Sequence, residues 1–363
     1  MPLATLTRSE VLIVGGGIVG LSSALAAAER GLSVVVVDEP RSGSASRAAA
    51  GMLAPLVEGL SHGVRAIGVE ARDFYPQYLE RLRERTEVSV PLDRNGIIEL
   101  AGTRGEWDAL QRRATDTSLA IDSASLARLE PALVGHSGAL LHSHDGAVDN
   151  VALMGALNIA IEREPRVKRV TARVTAVDFR NDAAITSTST GRHASSMVLL
   201  ASGAWVQDPV PGLPRRIPVR PVRGQLLRLN QLPVRHVIYG GGGYLVPRGE
   251  TLLIGATSEN AGFDSVTTPE GREALLAIAK RTVPTLAGAA IIDHWAGLRP
   301  VSPDALPILG ADPDEPKLVY ACGFSRNGIL LAPWAAWQLG PVFSRERPSE
   351  SLGLFSVERF GVK

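Results

Sequence analysis

The sequence predicts an α/β protein: a discontinuous Rossmann-like dinucleotide-binding domain with an inserted substrate domain built on a mostly antiparallel β-sheet plus helices. Three observations carry the prediction. The chain opens on a strand, a glycine turn, a helix and a second strand. A later buried strand, MVLLA, runs into Ser202-Gly203-Ala204-Trp205 and returns the chain to the same sheet. Beyond a proline-dense stretch come strand-sized pieces separated by turns. The expected boundaries are 1–85, 140–215 and 300–363 for the dinucleotide domain, and 86–139 and 216–299 for the substrate domain.

The first unit is the most specific. EVLIV has the β-branched composition and length of a buried strand, Gly15-x-Gly17-x-x-Gly20 follows, and the Ala/Leu-rich helix LSSALAAAERG stops at Gly31. Asp38 closes the next strand. Gly15 makes the turn, Gly17 lets backbone approach a pyrophosphate, Gly20 lets helix and strand pack closely, and Asp38 accepts from a ribose hydroxyl. The helix N-terminus faces the phosphates with free N–H groups and its dipole. Ile18 and Val19 in the turn and Glu39 after the acid belong to the same expected site. An acid at position 38 disfavours a 2′-phosphate and so NADP; FAD and NAD both stay open on these residues.

Size and charge narrow the partners. At 363 residues and 45% hydrophobic content the chain can bury two cores. A formal charge of +1 gives no electrostatic footprint for nucleic acid or an anionic membrane, so a small molecule is the expected partner. One cysteine, Cys322, excludes an internal disulfide framework and a cysteine-based zinc site, and no metal is expected. The uncharged run from Val11 to Ala28 resembles a signal-peptide core, but Glu10 touches its start, three consecutive glycines interrupt it and another strand-like run follows. The expected location is therefore the cytoplasm, with no membrane partner.

In the middle of the chain, Glu70 to Arg85 reads as an amphipathic helix with Phe74, Tyr78 and Leu82 along its core face. WDALQRRATD and DSASLARLEPAL read as helices, Pro131 marking an end, and DGAVDNVALMGALNIAIERE as turn then helix. The proline-rich stretch from Asp208 to Leu227 is a boundary, and GQLLRL, HVIYG, YLVPRG and TLLIGAT after it read as an antiparallel meander.

After the acid comes SGSASRAAAGMLAP, a stretch of small residues with only Arg47 charged, suited to a flat ring lying along the backbone. With WAGLRP and GFSRNGILLAP near the C-terminus, this segment resembles the D-amino-acid-oxidase-like FAD-dependent oxidoreductases, in particular the glycine oxidases of thiamine biosynthesis. The likeness spans most of the chain. It implies a glutathione-reductase-like FAD-binding domain and non-covalent FAD, held by Ala45, Ser46, Ala50, Gly51 and Met52 in the small-residue loop, by Gly203, by a backbone contact at Val174, and by a final clasp of Phe324, Ser325, Asn327, Gly328, Ile329 and Leu330. It further implies that Arg299, set in a Gly/Pro-rich loop, holds the substrate carboxylate, with the Tyr244 hydroxyl beside it and Arg326 as a second pocket arginine. A guanidinium fork suits that task because it meets a carboxylate with two parallel hydrogen bonds.

The activity so implied is oxidative deamination of glycine or a similar small amino acid: the α-hydrogen leaves as hydride for flavin N5, the imine hydrolyses to the oxo acid and ammonia, and oxygen takes the electrons to give hydrogen peroxide. The imine would supply thiamine thiazole synthesis, and a dimer or tetramer is the expected assembly. Departures from the family pattern at Phe324-Ser325 and at Ser258 alter pocket shape or polarity, so an FAD-dependent D-amino acid or N-methyl amino acid dehydrogenase or oxidase is the alternative; a non-catalytic flavin-binding protein is the alternative of another class. Asp304 is the structural acid that could otherwise pair Arg326, and His294, next to Trp295, is expected to be structural.

Overall fold

The computed structural model of the protein describes residues 6–361 except 59, 61, 208 and 209, so the first two residues of the proline-rich stretch lie outside the described residues. The first sheet has eight strands. Its centre is parallel: Thr7–Val14 lies between Val34–Asp38 and Gly191–Leu200, with Val167–Thr171 beyond the former and Leu318–Cys322 beyond the latter. The four consecutive valines Val34 to Val37 are all nearly fully buried, the signature of a strand covered on both faces. The hairpin Val174–Phe179/Ala184–Thr188 and the strand Ile308–Ala311 add antiparallel pairings.

Helices Ile18–Glu29, His62–Thr86, Asn150–Arg163 and Gly328–Phe343 cover one face and share a single apolar core with it. The helix read over 70–85 thus starts earlier, at residue 62. Tyr78 and Leu82 of the expected stripe are buried and Phe74 packs against the same core. Tyr75, outside that stripe, is also fully buried, and its hydroxyl donates to the Ile329 carbonyl at the start of the C-terminal helix.

The second sheet, also of eight strands, is antiparallel except where Val237–Gly240 runs parallel to Ile97–Ala101. Helix Pro269–Thr282 closes its far face, capped by the Thr268 side chain and begun by a proline, where the missing N–H costs nothing. Two strands run across expected boundaries. Strand Gly138–His142 pairs with Ile97–Ala101 and Ser118–Asp122 in this sheet, so a boundary at 140 would cut a strand. Arg299 is not in a loop: it sits in the strand Ile291–Val301, paired along its length with Arg220–Leu229. The prolines that suggested irregular chain, Pro221 and Pro300, face each other toward the end of an edge strand, where a missing donor is tolerated. A small third sheet, of Met52–Leu53, Gly146–Val148 and Leu92–Asp93, sits at the junction.

Candidate active site

One cavity of about 1320 Å³ runs between the two large sheets, from Gly15 and Asp38 at one end to Arg299 and Tyr244 at the other. At the first end the glycines are mechanically required. A Cβ on Gly15 would stand 2.4 Å from the Ala201 carbonyl oxygen, in a backbone at φ +114° that disfavours side chains, and one on Gly20 would stand 1.9 Å from the Gly15 carbonyl oxygen. Gly20 accordingly packs helix on strand and does not line the cavity, whereas Gly17 lines it, and a Cβ there would stand 3.1 Å from Ser46 Oγ. The Ile18 N–H donates to Ser46 Oγ (3.0 Å) and the Gly16 N–H to Asp38 Oδ1 (2.8 Å), so Ser46 and Asp38 set the turn as well as facing the cavity. Glu39 is paired with Arg41 and Arg173, whose hydrogen bonds hold its carboxyl below the usual range. Val19, Val174 and Gly203 line the same end, and Trp205 joins them with the Arg41 guanidinium 5.5 Å from its ring centroid.

The loop after the second strand forms one wall. It holds the short helix Ala45–Ala48 and then passes through Gly51, at φ +81°, where a Cβ would strike the Val148 carbonyl. Ala45, Ser46, Ala50, Gly51 and Met52 all line the cavity. Opposite them, Phe324, Ser325, Asn327, Gly328 and Ile329 contribute a second wall, while Leu330 is turned into the helical core and reaches no part of it. Asn327 caps the C-terminal helix without a side-chain hydrogen bond to its first turn. The first-turn N–H groups and the helix dipole thus point at the cavity. Cys322, buried at the end of its strand, lies just before this wall.

At the far end Arg299 lies across the sheet face, Nη1 donating to the Thr257 carbonyl (3.0 Å). Gly224 on the neighbouring strand makes room for it, since a Cβ there would fall 2.3–2.4 Å from the guanidinium. Tyr244 lies over Gly255 in the same way. Burial pushes the Tyr244 hydroxyl up to about 12, with Arg299 opposing the shift, so Tyr244 stays a neutral donor. Arg326 also lines the cavity, at a more open position. Its side chain is 49% exposed, and its Nη1 stands 3.6 Å from Glu58 Oε2, while Asp304 pairs with Arg359 at 2.8 Å. Ser258 is exposed and away from the cavity, so of the departures only Phe324-Ser325 bears on its shape. His294 does not line the cavity.

Four site residues escape the sequence. Glu58 has a side chain only 7% exposed, and burial raises its carboxyl above the ordinary value against the pull of Arg326 and Arg299. Tyr239 lines the cavity opposite Tyr244 across a glycine turn, a pairing that the hairpin spacing could have disclosed. Gly224 and Gly255 matter through side chains of other strands, for which no local signal exists.

An elongated cavity, two glycines that tolerate no side chain, an acid at the strand end and a helix N-terminus at the opposite wall are what a dinucleotide joined to a flat ring requires. These features define an FAD-dependent oxidoreductase, and the chain belongs to the FAD dependent oxidoreductase family (DAO), whose pattern it matches over residues 10–340. It is 34% identical over 340 residues to the glycine oxidase of Pseudomonas putida, covering 89% of this chain and 91% of that one. It is 33% identical over 368 residues to the bifunctional protein ThiO/ThiG of Synechocystis, covering 98% of this chain and 54% of the relative, so the chain spans about half that protein's length. Among solved structures, glycine oxidase from Geobacillus kaustophilus superposes with a TM-score of 0.91 at 30% identity, covering 97% of this chain and 99% of that one. No helix among the described residues is long and apolar enough to cross a membrane, and no group of three or more metal-ligating acidic, histidine or cysteine side chains occurs among them.

Proposed function

We propose that this chain oxidises glycine, or a similarly small amino acid, to its imine, and that the imine feeds thiamine thiazole synthesis. The observation carrying the reading is Arg299: it lines the cavity beside Tyr244, and among the described residues no carboxylate stands within ion-pair distance of it. An incompletely paired guanidinium in a partly buried site calls for an anion, and a substrate carboxylate supplies it. The glycine oxidase and ThiO names of the relatives agree with the reading.

Bound FAD supplies a two-electron acceptor that takes hydride at N5 and passes the electrons to oxygen, giving hydrogen peroxide. The nucleotide end (Gly15, Gly17, Asp38, Val174, Gly203), the loop 45–52 and the clasp 324–329 would hold the cofactor. Arg299 grips the carboxylate through its fork and Tyr244 donates to it, which fixes the α-carbon relative to the clasp. The substrate binds with its amine unprotonated, the proton having passed to solvent; the nitrogen lone pair then forms the C=N bond as the C–H bond breaks, and the walls from both sheets restrict water during the step. The released imine hydrolyses to the 2-oxo acid and ammonia unless it is captured.

A homodimer or tetramer in the cytoplasm completes the proposal; exposed Ile291 and Ile292 at the start of the edge strand give the molecule an apolar edge to cover. The test is anaerobic mixing of the yellow protein with glycine. Bleaching of the flavin band, then peroxide release on admitting air, supports the reading. No bleaching by glycine, sarcosine or D-alanine overturns it.

A further inference from the structure

Asn150 and Arg248 lie outside both the dinucleotide turn and the substrate pocket, yet they converge on the backbone of the loop 45–52. Asn150 is 1% exposed. Its Nδ2 donates to the carbonyls of Ser46 (2.9 Å) and Arg47 (3.2 Å), and its Oδ1 accepts from Arg248 Nη1 (3.3 Å), so the amide orientation is fixed by its partners. Arg248 Nη2 donates to the carbonyls of Ala50 (2.8 Å) and Val148 (3.2 Å), and Nη1 pairs with Asp149 at 3.0 Å. Asp149 in turn caps helix Asn150–Arg163 through the N–H groups of Val151 and Ala152.

Burying a guanidinium is costly, and desolvation lowers the affinity of Arg248 for its proton even with Asp149 beside it. An aliphatic residue would fill the space without that cost, but it could not bind two carbonyls at once. Arg248 ends the strand that begins at Gly243 and carries Tyr244, so one strand reaches both the pocket and the loop. The loop's other end is tied to the dinucleotide turn, because Ser46 accepts from Ile18 through Oγ while its carbonyl is held by Asn150.

We propose that Asn150 and Arg248 are positioning residues for the flavin, acting through the backbone of loop 45–52: they hold its carbonyls away from the cavity and fix the wall on which the ring lies. The inference rests on the reading that this loop contacts FAD.

The test uses the full chain with Asn150→Asp and Arg248→Lys. The first keeps the shape of the side chain but removes both donors; the second keeps a charge but cannot serve Asp149 and Asn150 through one nitrogen and the two carbonyls through another. We expect the FAD dissociation constant of each apoprotein to rise at least tenfold and the visible flavin bands of the loaded protein to shift. The apoprotein melting temperature should stay near that of the wild type in Arg248→Lys and fall in Asn150→Asp, which buries a carboxylate against two carbonyls. FAD affinity and spectrum unchanged in the better-folded of the two variants overturn the proposal, as does a fall in apoprotein melting temperature with affinity intact. Wild-type protein that binds no FAD instead overturns the underlying reading, whatever the variants do.

Discussion

The guanidinium of Arg299 rests against the Cα of Gly224, so close that any side chain at 224 would occupy its place. The two residues are on adjacent strands, Gly224 facing Gly297 and Arg299 facing Val222 in the register. Gly224→Ala should therefore displace the arginine without opening the core. The expected result is a KM for glycine raised by roughly tenfold or more, on the scale of a lost charge-assisted hydrogen bond. FAD content should stay full. An unchanged KM would show that the guanidinium does not need this seat.

Arg299→Lys removes the fork and leaves a point charge. Breaking a buried, hydrogen-bonded charge pair costs about 2–5 kcal/mol, so glycine saturation should become hard to reach. Stopped-flow reduction at rising glycine concentration measures it, and a wild-type apparent affinity refutes the assignment.

Tyr244→Phe should cost about 1.5–3 kcal/mol of substrate binding, the worth of one hydrogen bond to a charged carboxylate. Because the hydroxyl is pushed up to about 12, it remains protonated through the working range, and the loss should be the same at pH 7 and pH 9. A loss that disappears at pH 9 would mean that the hydroxyl ionises there.

These residues mark how far the chain could be read in advance. The dinucleotide unit was legible because strand, turn, helix and acid are contiguous, and each glycine has a local mechanical reason. Only the resemblance points to Arg299 and Tyr244, and Pro300 hides from the local sequence a strand through Arg299 whose partner lies some eighty residues earlier in the chain. Glu58 and Gly224 were invisible: what they meet depends on how separate parts of the chain pack or pair, and neither position carries a pattern of its own.

Glu58 offers a pH test. Its folded-state carboxyl titrates above the ordinary value because of burial. The folded state therefore binds this proton more tightly than the unfolded one, and stability is lost as pH rises through the folded value. Glu58→Gln should raise the melting temperature at pH 7 to 8 and have no such effect below the unfolded carboxyl range, near pH 4. A variant less stable than wild type at neutral pH would show that the contact with Arg326 outweighs desolvation.

Asp38→Ala removes the acceptor for the Gly16 N–H and the expected ribose contact together. FAD occupancy after purification should fall, with the dissociation constant rising roughly tenfold. Full yellow occupancy would argue against the ribose role.

An enzyme of the proposed kind makes peroxide in the cavity that Cys322 lines. Cys322 stands at the end of its strand beside that chamber, 1% exposed. Burial pushes its thiol up to about 12, which keeps it the neutral thiol at pH 7. Since oxidation begins from the thiolate, the catalyst should survive many turnovers with this side chain still reduced.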